Sequence, residues 1–381
     1  MSCCGGSKSC APANPPANGV AARQGHQDIK DSVVQYYGQS LQSTNDLRTS
    51  ACKTCKAPPP EVKALMKLLP QEIVDKYYGC GTPLPSGISG LRVLDLGSGT
   101  GRDCYVAAQL VGEQGFVTGI DMTDGQLAVA NKHLESFNRD VCKYSKPNMK
   151  FIKGEIENLT AAGIPDESQD LVISNCVINL SPDKAATLRE VYRVLAPGGE
   201  MYFSDIYCDR RLPQELRTHP VLLGECLGGA LYVNDFIRLA RKAGFMDPRV
   251  LEQSAVDVND PELREILGEA RFFSITYRLF KLPDRLEDLC EDYGQVAVYK
   301  GTLPGHTHSY ALDDHHKFVK NKPMLVCGNT AAMVGESWLR PHFAVTGDRS
   351  VHYGQFDCSS GPLASVKGDD GAGGCSSGAC C

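Results

Sequence analysis

Cys176 ends the apolar run Leu171-Val-Ile-Ser-Asn-Cys176, and an earlier apolar run leads into Asp95-Leu-Gly97-Ser-Gly99-Thr-Gly101-Arg-Asp103. In an open α/β sheet, ligands bind outside the carboxyl ends of the strands, near the point where strand order reverses. The glycine turn and the Cys176 thiol therefore face one crevice. Two further thiols have glycine neighbours that permit close backbone approach around a bound centre: Cys80 in Tyr78-Gly79-Cys80-Gly81, and Cys226 in Gly224-Glu225-Cys226-Leu227-Gly228-Gly229. A thiolate is a nucleophile, a ligand for soft centres and half of a redox couple.

The glycine turn narrows the choice of small molecule. Gly97-x-Gly99-x-Gly101 removes side chains that would block a nucleotide, and Asp121, ending the next strand-like run, can accept both hydroxyls of a ribose. A nicotinamide fingerprint needs G-x-G-x-x-G, and Arg102 fills the place of its third glycine. The spacing found here, preceded by Asp95, resembles the form usual in S-adenosylmethionine methyltransferases.

The elements that must position these residues alternate between strand and helix, the signature of a doubly wound parallel sheet. Strands are predicted at Arg92–Leu96, Phe116–Asp121, Met149–Lys153, Leu171–Ser174 and Glu200–Ser204, with helices at Arg102–Val111, Asp124–Asn138 and Pro182–Leu195. Val233 to Ala243 is a further helix stopped at Gly244, and Arg271 to Leu282 a further strand. Helical spacing also covers Asp28 to Ser43 and Pro60 to Tyr78, the latter divided into two short helices by Pro70. The expected organisation is a disordered Cys/Gly/Pro-rich segment over 1–25 and a Rossmann-like α/β domain over 26–282 that includes the N-terminal helices. A small mixed or β-rich C-terminal module over 283–357 and a flexible Cys-rich tail over 358–381 follow.

Most of the seventeen cysteines should be small buried hydrophobes, Cys104 and Cys290 among them, whereas Cys142 and Cys208 read as surface residues. A structural zinc site usually brings two C-x-x-C pairs, and only Cys52-x-x-Cys55 fits. His306-Thr-His308 and His315-His316 read as solvated loop residues. No resident metal is expected.

Taken together, Cys52, Asp95–Cys104, Gly119-Ile-Asp121-Met122, Asn175-Cys176-Val-Ile-Asn-Leu180 and Thr218-His219 through Cys226 to Tyr232 resemble the arsenite S-adenosylmethionine methyltransferases. The resemblance covers roughly residues 30–300 and implies a class I methyltransferase fold. It implies that Cys80, Cys176 and Cys226 hold As(III) and that Cys52 completes redox cycling. For S-adenosylmethionine it implies Tyr78, Gly97, Ser98, Gly99, Asp121, Met122, Gln126, Ile156, Glu157 and Asn175.

The implied chemistry suits the residue types. Three thiols can displace the hydroxyls of arsenite and leave a neutral centre with a lone pair, which attacks the sulfonium methyl without a general base. Methylation raises arsenic to the pentavalent state, and two cysteines closing to a disulfide return it. Cys52 is the expected mobile partner of Cys80, with Cys55 its rival, and thioredoxin or glutathione the expected external reductant. Two alternatives stay open: a small-molecule C- or O-methyltransferase, and a thiol-rich metalloid-binding protein without turnover.

Bulk properties agree. A net charge of −6 without a long basic run argues against nucleic acid, and no apolar segment approaches the ~20 residues of a membrane span. Met1-Ser-Cys3-Cys4-Gly-Gly lacks the pattern of a secretory signal, so a cytoplasmic monomer with free thiols is the expectation.

Overall fold

The computed structural model describes residues 27, 29–31, 58–76 and 79–358. The predicted Asp28–Ser43 helix lies largely outside these residues, as do Cys52, Cys55, Tyr78 and the tail beyond Cys358. As Pro70 requires, two short helices, α1 (Pro60–Met66) and α2 (Gln71–Asp75), replace a single one.

β1 (Arg92–Leu96), β2 (Phe116–Asp121), β3 (Met149–Lys153), β4 (Gln169–Asn175) and β5 (Leu195–Cys208) form a parallel sheet. β6 (Leu231–Tyr232) pairs with the end of β5, and β7 (Arg249–Val256) and β8 (Phe272–Phe280) extend the sheet antiparallel. The order is β3-β2-β1-β4-β5-β8-β7, so the chain reverses direction across the sheet between β1 and β4. Their carboxyl ends carry Gly97 and Cys176 respectively. The fold is that of a Rossmann-like class I methyltransferase.

Alternation along the strands builds two apolar layers. Val93, Leu171 and Ile173 pack with Tyr105 and Val106 of α3 (Arg102–Val111) on one face. Leu94 and Val172 pack on the other with Leu188 and Val191 of α5 (Lys184–Val194) and Phe236 of α7 (Val233–Ala243). Successive side chains point to opposite faces, so a strand apolar at every position is buried on both. Gly244, left-handed at φ 112°, ends α7 where the sequence places the stop.

Several boundaries differ from expectation. The helix α4 (Asp124–Lys132) stops before His133, and a separate short turn at Leu134–Phe137 leads into a π-helical turn over Asn138–Cys142. β5 continues past Ser204 to Cys208 because β8 pairs with it residue for residue from Glu200 onward. That pairing buries Cys208 completely, correcting its surface assignment.

The C-terminal module has its own core, including Tyr299, Phe318, Met333 and Phe343. Its three-stranded antiparallel sheet has β10 (Gln295–Tyr299) between β13 (Pro323–Val326) and β14 (Phe343–Thr346), with α9 (Gly328–Glu336) following β13. Two small ladders accompany it: β11 (Ser309–Ala311) with β12 (Lys317–Val319), and β9 (Glu291–Asp292) with β15 (Gly354–Gln355). Arg278 of β8 ties the module to the large sheet. It donates to both Glu200 carboxylate oxygens at 3.0 Å, to the Tyr310 hydroxyl at 2.6 Å and to the Leu312 carbonyl at 3.1 Å.

Candidate active site

Gly97, Gly99 and Gly101 all hold left-handed backbone, at φ 65°, 54° and 88°. Space matters as well at Gly97, where a Cβ would lie 2.4 Å from Val177. The turn is fastened to the next strand: Gly99 N–H donates to Asp121 Oδ2 at 2.9 Å, and Thr123 N–H to Oδ1 at 2.8 Å. Burial pushes the Asp121 carboxyl above its usual range, opposed by those backbone donors.

These residues open onto a cleft of about 1020 Å³. Gly97, Ser98, Gly99, Asp121, Met122, Gln126, Ile156, Glu157, Asn175 and Cys176 line it, together with Asp103, Leu180 and Ser181, to which no role was given from sequence. Among the described residues, Ser98 Oγ and Gln126 Oε1 are buried without a hydrogen-bond partner. Buried polar atoms are ordinarily satisfied, so two unpartnered oxygens beside a glycine turn and a ribose-type acid fit a polar nucleoside ligand such as S-adenosylmethionine.

Behind Cys176, which lines the cleft, the thiols converge in one buried cluster. Cys80 and Cys176 form a disulfide with Cα atoms 5.8 Å apart, and the Cys226 thiol donates to the Cys176 carbonyl at 3.2 Å. All three cysteines are buried, 2%, 3% and 0% exposed, against an apolar wall that includes Ile206, Leu222, Leu227 and Phe272. Cys80 also lines a second cleft, of about 840 Å³, bordered by Tyr202, Glu252 and Ser274.

Cys176 and Cys226 have the left-handed backbone that normally selects glycine, at φ 58° and 62°. A non-glycine residue there costs on the order of 1 kcal/mol or more and persists only where its surroundings impose it. Those surroundings are visible. Cys176 N–H donates to the Ser204 carbonyl at 2.9 Å. Asn179 donates from Nδ2 to the Cys226 carbonyl at 3.4 Å, and a Cβ on nearby Gly229 would fall 1.9 Å from the Asn179 carbonyl.

Behind Asn179 lie two ionisable groups, buried Asp205 and partly buried Lys184. Asp205 accepts from the Asn179 and Ile206 N–H groups, at 3.0 and 2.8 Å, and burial raises its carboxyl to about 7. Lys184 Nζ donates to the Asn179 and Ser181 carbonyls, at 3.0 and 2.9 Å, and burial lowers it to about 8. Asn179 lies within the quoted Asn175–Leu180 run but has no role from sequence, and no motif singles out Lys184 or Asp205, because such residues act through a loop's backbone.

The remaining cysteines divide. Cys104 is buried as expected and donates to Asp95 at 3.1 Å, its thiol pushed well up by burial. Cys142 is partly buried, with its thiol raised to about 11 by desolvation. Cys208, raised to about 11 by burial, packs in the same cluster as the three site thiols. Cys290 is not a core residue: it is only partly buried and lies in a group with Cys327 and Cys358. His316 is not solvated either, since its Nδ1 pairs with both Asp313 carboxylate oxygens at 2.9 Å. No described helix is long and apolar enough to cross a membrane.

A methyltransferase-domain family model matches residues 88–244. The arsenite methyltransferase of Aquipseudomonas alcaligenes is 51% identical over 88% of this chain and 96% of its own length. That of Mus musculus is 44% identical over 86% of each chain. The crystal structure of an arsenic(III) S-adenosylmethionine methyltransferase from Chlamydomonas reinhardtii superposes with a TM-score of 0.77 at 69% identity, covering 79% of this chain and all of that one. With its glycine turn, buried thiols and sheet order in place, the chain belongs to the arsenite methyltransferase family.

Proposed function

We propose that this chain holds trivalent arsenic on Cys80, Cys176 and Cys226 and aims its lone pair along the cofactor cleft. As a family member it is an S-adenosylmethionine-dependent enzyme that methylates arsenite. The observation that carries the assignment of its thiols is their convergence: a disulfide between two and a hydrogen bond from the third, all at the carboxyl end of β4.

Soft sulfur ligands suit a thiophilic centre, and the apolar wall keeps hydroxide from competing. Gly97, Gly99, Asp121, Gln126 and Asn175 would hold the cofactor, with Tyr78, outside the described residues, completing the set. S-adenosylmethionine, when bound, supplies an electrophilic methyl on a sulfonium sulfur. The arsenic lone pair forms the As–C bond, and the electrons of the broken S–C bond stay on sulfur. No proton moves. The residues therefore act mainly by alignment, which can supply ~7–11 kcal/mol.

Arsenic is then pentavalent and must regain two electrons. Cys80 and Cys176 supply them by forming an S–S bond, and Cys52 takes part in regenerating the dithiol with thioredoxin or glutathione. The second cleft gives such a thiol a route to Cys80 from the side away from the cofactor. Without an external thiol, reduced enzyme given arsenite and labelled S-adenosylmethionine should release one round of methylated product and stop, with Cys80 joined to Cys176 by peptide mapping. Sustained turnover without a reductant, or both cysteines still reduced after the burst, would overturn the cycle.

A further inference from the structure

A second set of thiols lies away from that site. The Sγ atoms of Cys290, Cys327 and Cys358 fall within 4.8 Å of one another, on the C-terminal module. Their positions are far apart in sequence, and two features of the fold gather them. Cys290 immediately precedes β9, and its carbonyl accepts from Phe356 N–H at 2.8 Å just beyond β15, so the β9–β15 ladder brings Cys358 back over Cys290. Cys327 follows β13 and caps the N-terminus of α9, accepting from Thr330 N–H at 3.4 Å.

We propose that Cys290, Cys327 and Cys358 form a second three-thiol site, which holds trivalent arsenic without methylating it. Each thiol gives its proton to one hydroxyl of arsenite. Three As–O bonds break, three As–S bonds form, three waters leave, and arsenic stays trivalent. The geometry suits a three-coordinate centre. Structural zinc takes four protein ligands, and no histidine or carboxylate joins this group among the described residues. The Arg249 guanidinium lies 3.8 Å from Cys327 Sγ. Cys327 is buried, Cys290 half-buried and Cys358 exposed, so arsenite can reach the group from solvent. The glycine turn and its cleft are built on other elements, so no methyl donor faces this site.

The test uses the full chain, reduced with a phosphine and loaded with excess arsenite, then freed of unbound arsenic by gel filtration. Arsenic and zinc per chain are measured for the wild type, Cys327→Ala, Cys358→Ala and the double variant. Thiols elsewhere are common to all four and cancel in the difference. Each single variant should lose about one arsenic per chain, the double variant no more than either single, and methyl transfer should be unchanged. Cys358 is exposed, so its variant reads the site even if Cys327→Ala fails to fold. Unchanged arsenic content in Cys358→Ala, or additive losses in the double variant, would overturn the proposal. So would a zinc ion that arsenite cannot displace. Loss at Cys226→Ala is a separate readout, so failure of the catalytic assignment would show independently.

Discussion

Asn175 and Gly81 exchange two hydrogen bonds: Gly81 N–H donates to Asn175 Oδ1 at 3.0 Å, and Asn175 Nδ2 donates back to the Gly81 carbonyl at 2.8 Å. Each residue adjoins a site thiol, Cys176 and Cys80 respectively. The same Nδ2 donates to Asp103 Oδ2 at 3.0 Å, which fixes the side chain from the helix that follows the glycine turn. This amide therefore sets the spacing of two thiols and faces the cofactor cleft at once.

Asn175→Asp should keep the bond from Gly81 N–H but lose the donor, and it places a second carboxylate against Asp103. We expect methylation of arsenite to fall by at least about tenfold, corresponding to the ~1–3 kcal/mol of one buried bond left unmade. The Cys80–Cys176 disulfide should form more slowly in mass mapping. Wild-type rates for both would show that the clamp has no part in positioning the thiols.

The left-handed backbone at Cys226 gives a second prediction. Cys226→Gly removes the thiol but relaxes φ, whereas Cys226→Val removes the thiol and adds a β-branched side chain where L residues are already strained. Both should be inactive. The glycine variant should melt near the wild type and the valine variant at least about 1 kcal/mol less stable. Equal melting temperatures would remove the strain argument.

Asp205 makes stability pH-dependent. Burial raises its carboxyl from 3.8 to about 7, so the folded chain keeps a proton that the unfolded chain releases. Its contribution is fully present below 3.8 and is lost as pH rises through about 7, so denaturant midpoints should fall over that interval. Lys184, held near 8 by burial, faces it and softens the loss. Asp205→Asn should flatten the slope; an unchanged slope would assign the pH dependence elsewhere.

Glu200 and Arg278, both essentially unexposed, pair within the large sheet, and Arg278 also reaches Tyr310 and Leu312 of the C-terminal module. Glu200→Gln leaves the guanidinium charged and unpaired in the interior, which should cost about 3–5 kcal/mol. Chemical denaturation measures it, and a loss under about 1 kcal/mol would mean that the interface relaxes around the charge.

How much of this was legible in sequence follows from the range over which each signal acts. Strand and helix bounds near the site came through because their apolar alternation is local and Gly101, Pro70 and Gly244 punctuate it. Cys208 did not, because its burial depends on β8 arriving alongside, a partner remote in sequence. The Cys290, Cys327 and Cys358 group was invisible for the same reason: no spacing rule links residues gathered by a ladder and a strand–helix junction. Cys290 was accordingly read as a plain hydrophobe. At the candidate site the glycine turn, Asp121 and the cysteine contexts stood out, whereas the support that Asn179, Lys184 and Asp205 give Cys226 through backbone groups left no signal in sequence.

The central claim is that arsenic held by buried thiols is the atom that takes the methyl group. Methyl transfer from labelled S-adenosylmethionine, measured with both arsenite and trivalent monomethylarsenite on Cys176→Ser and Cys226→Ser, tests it most directly. We expect neither variant to methylate either substrate while both still bind the cofactor. Full activity of either variant on either substrate would contradict the assignment.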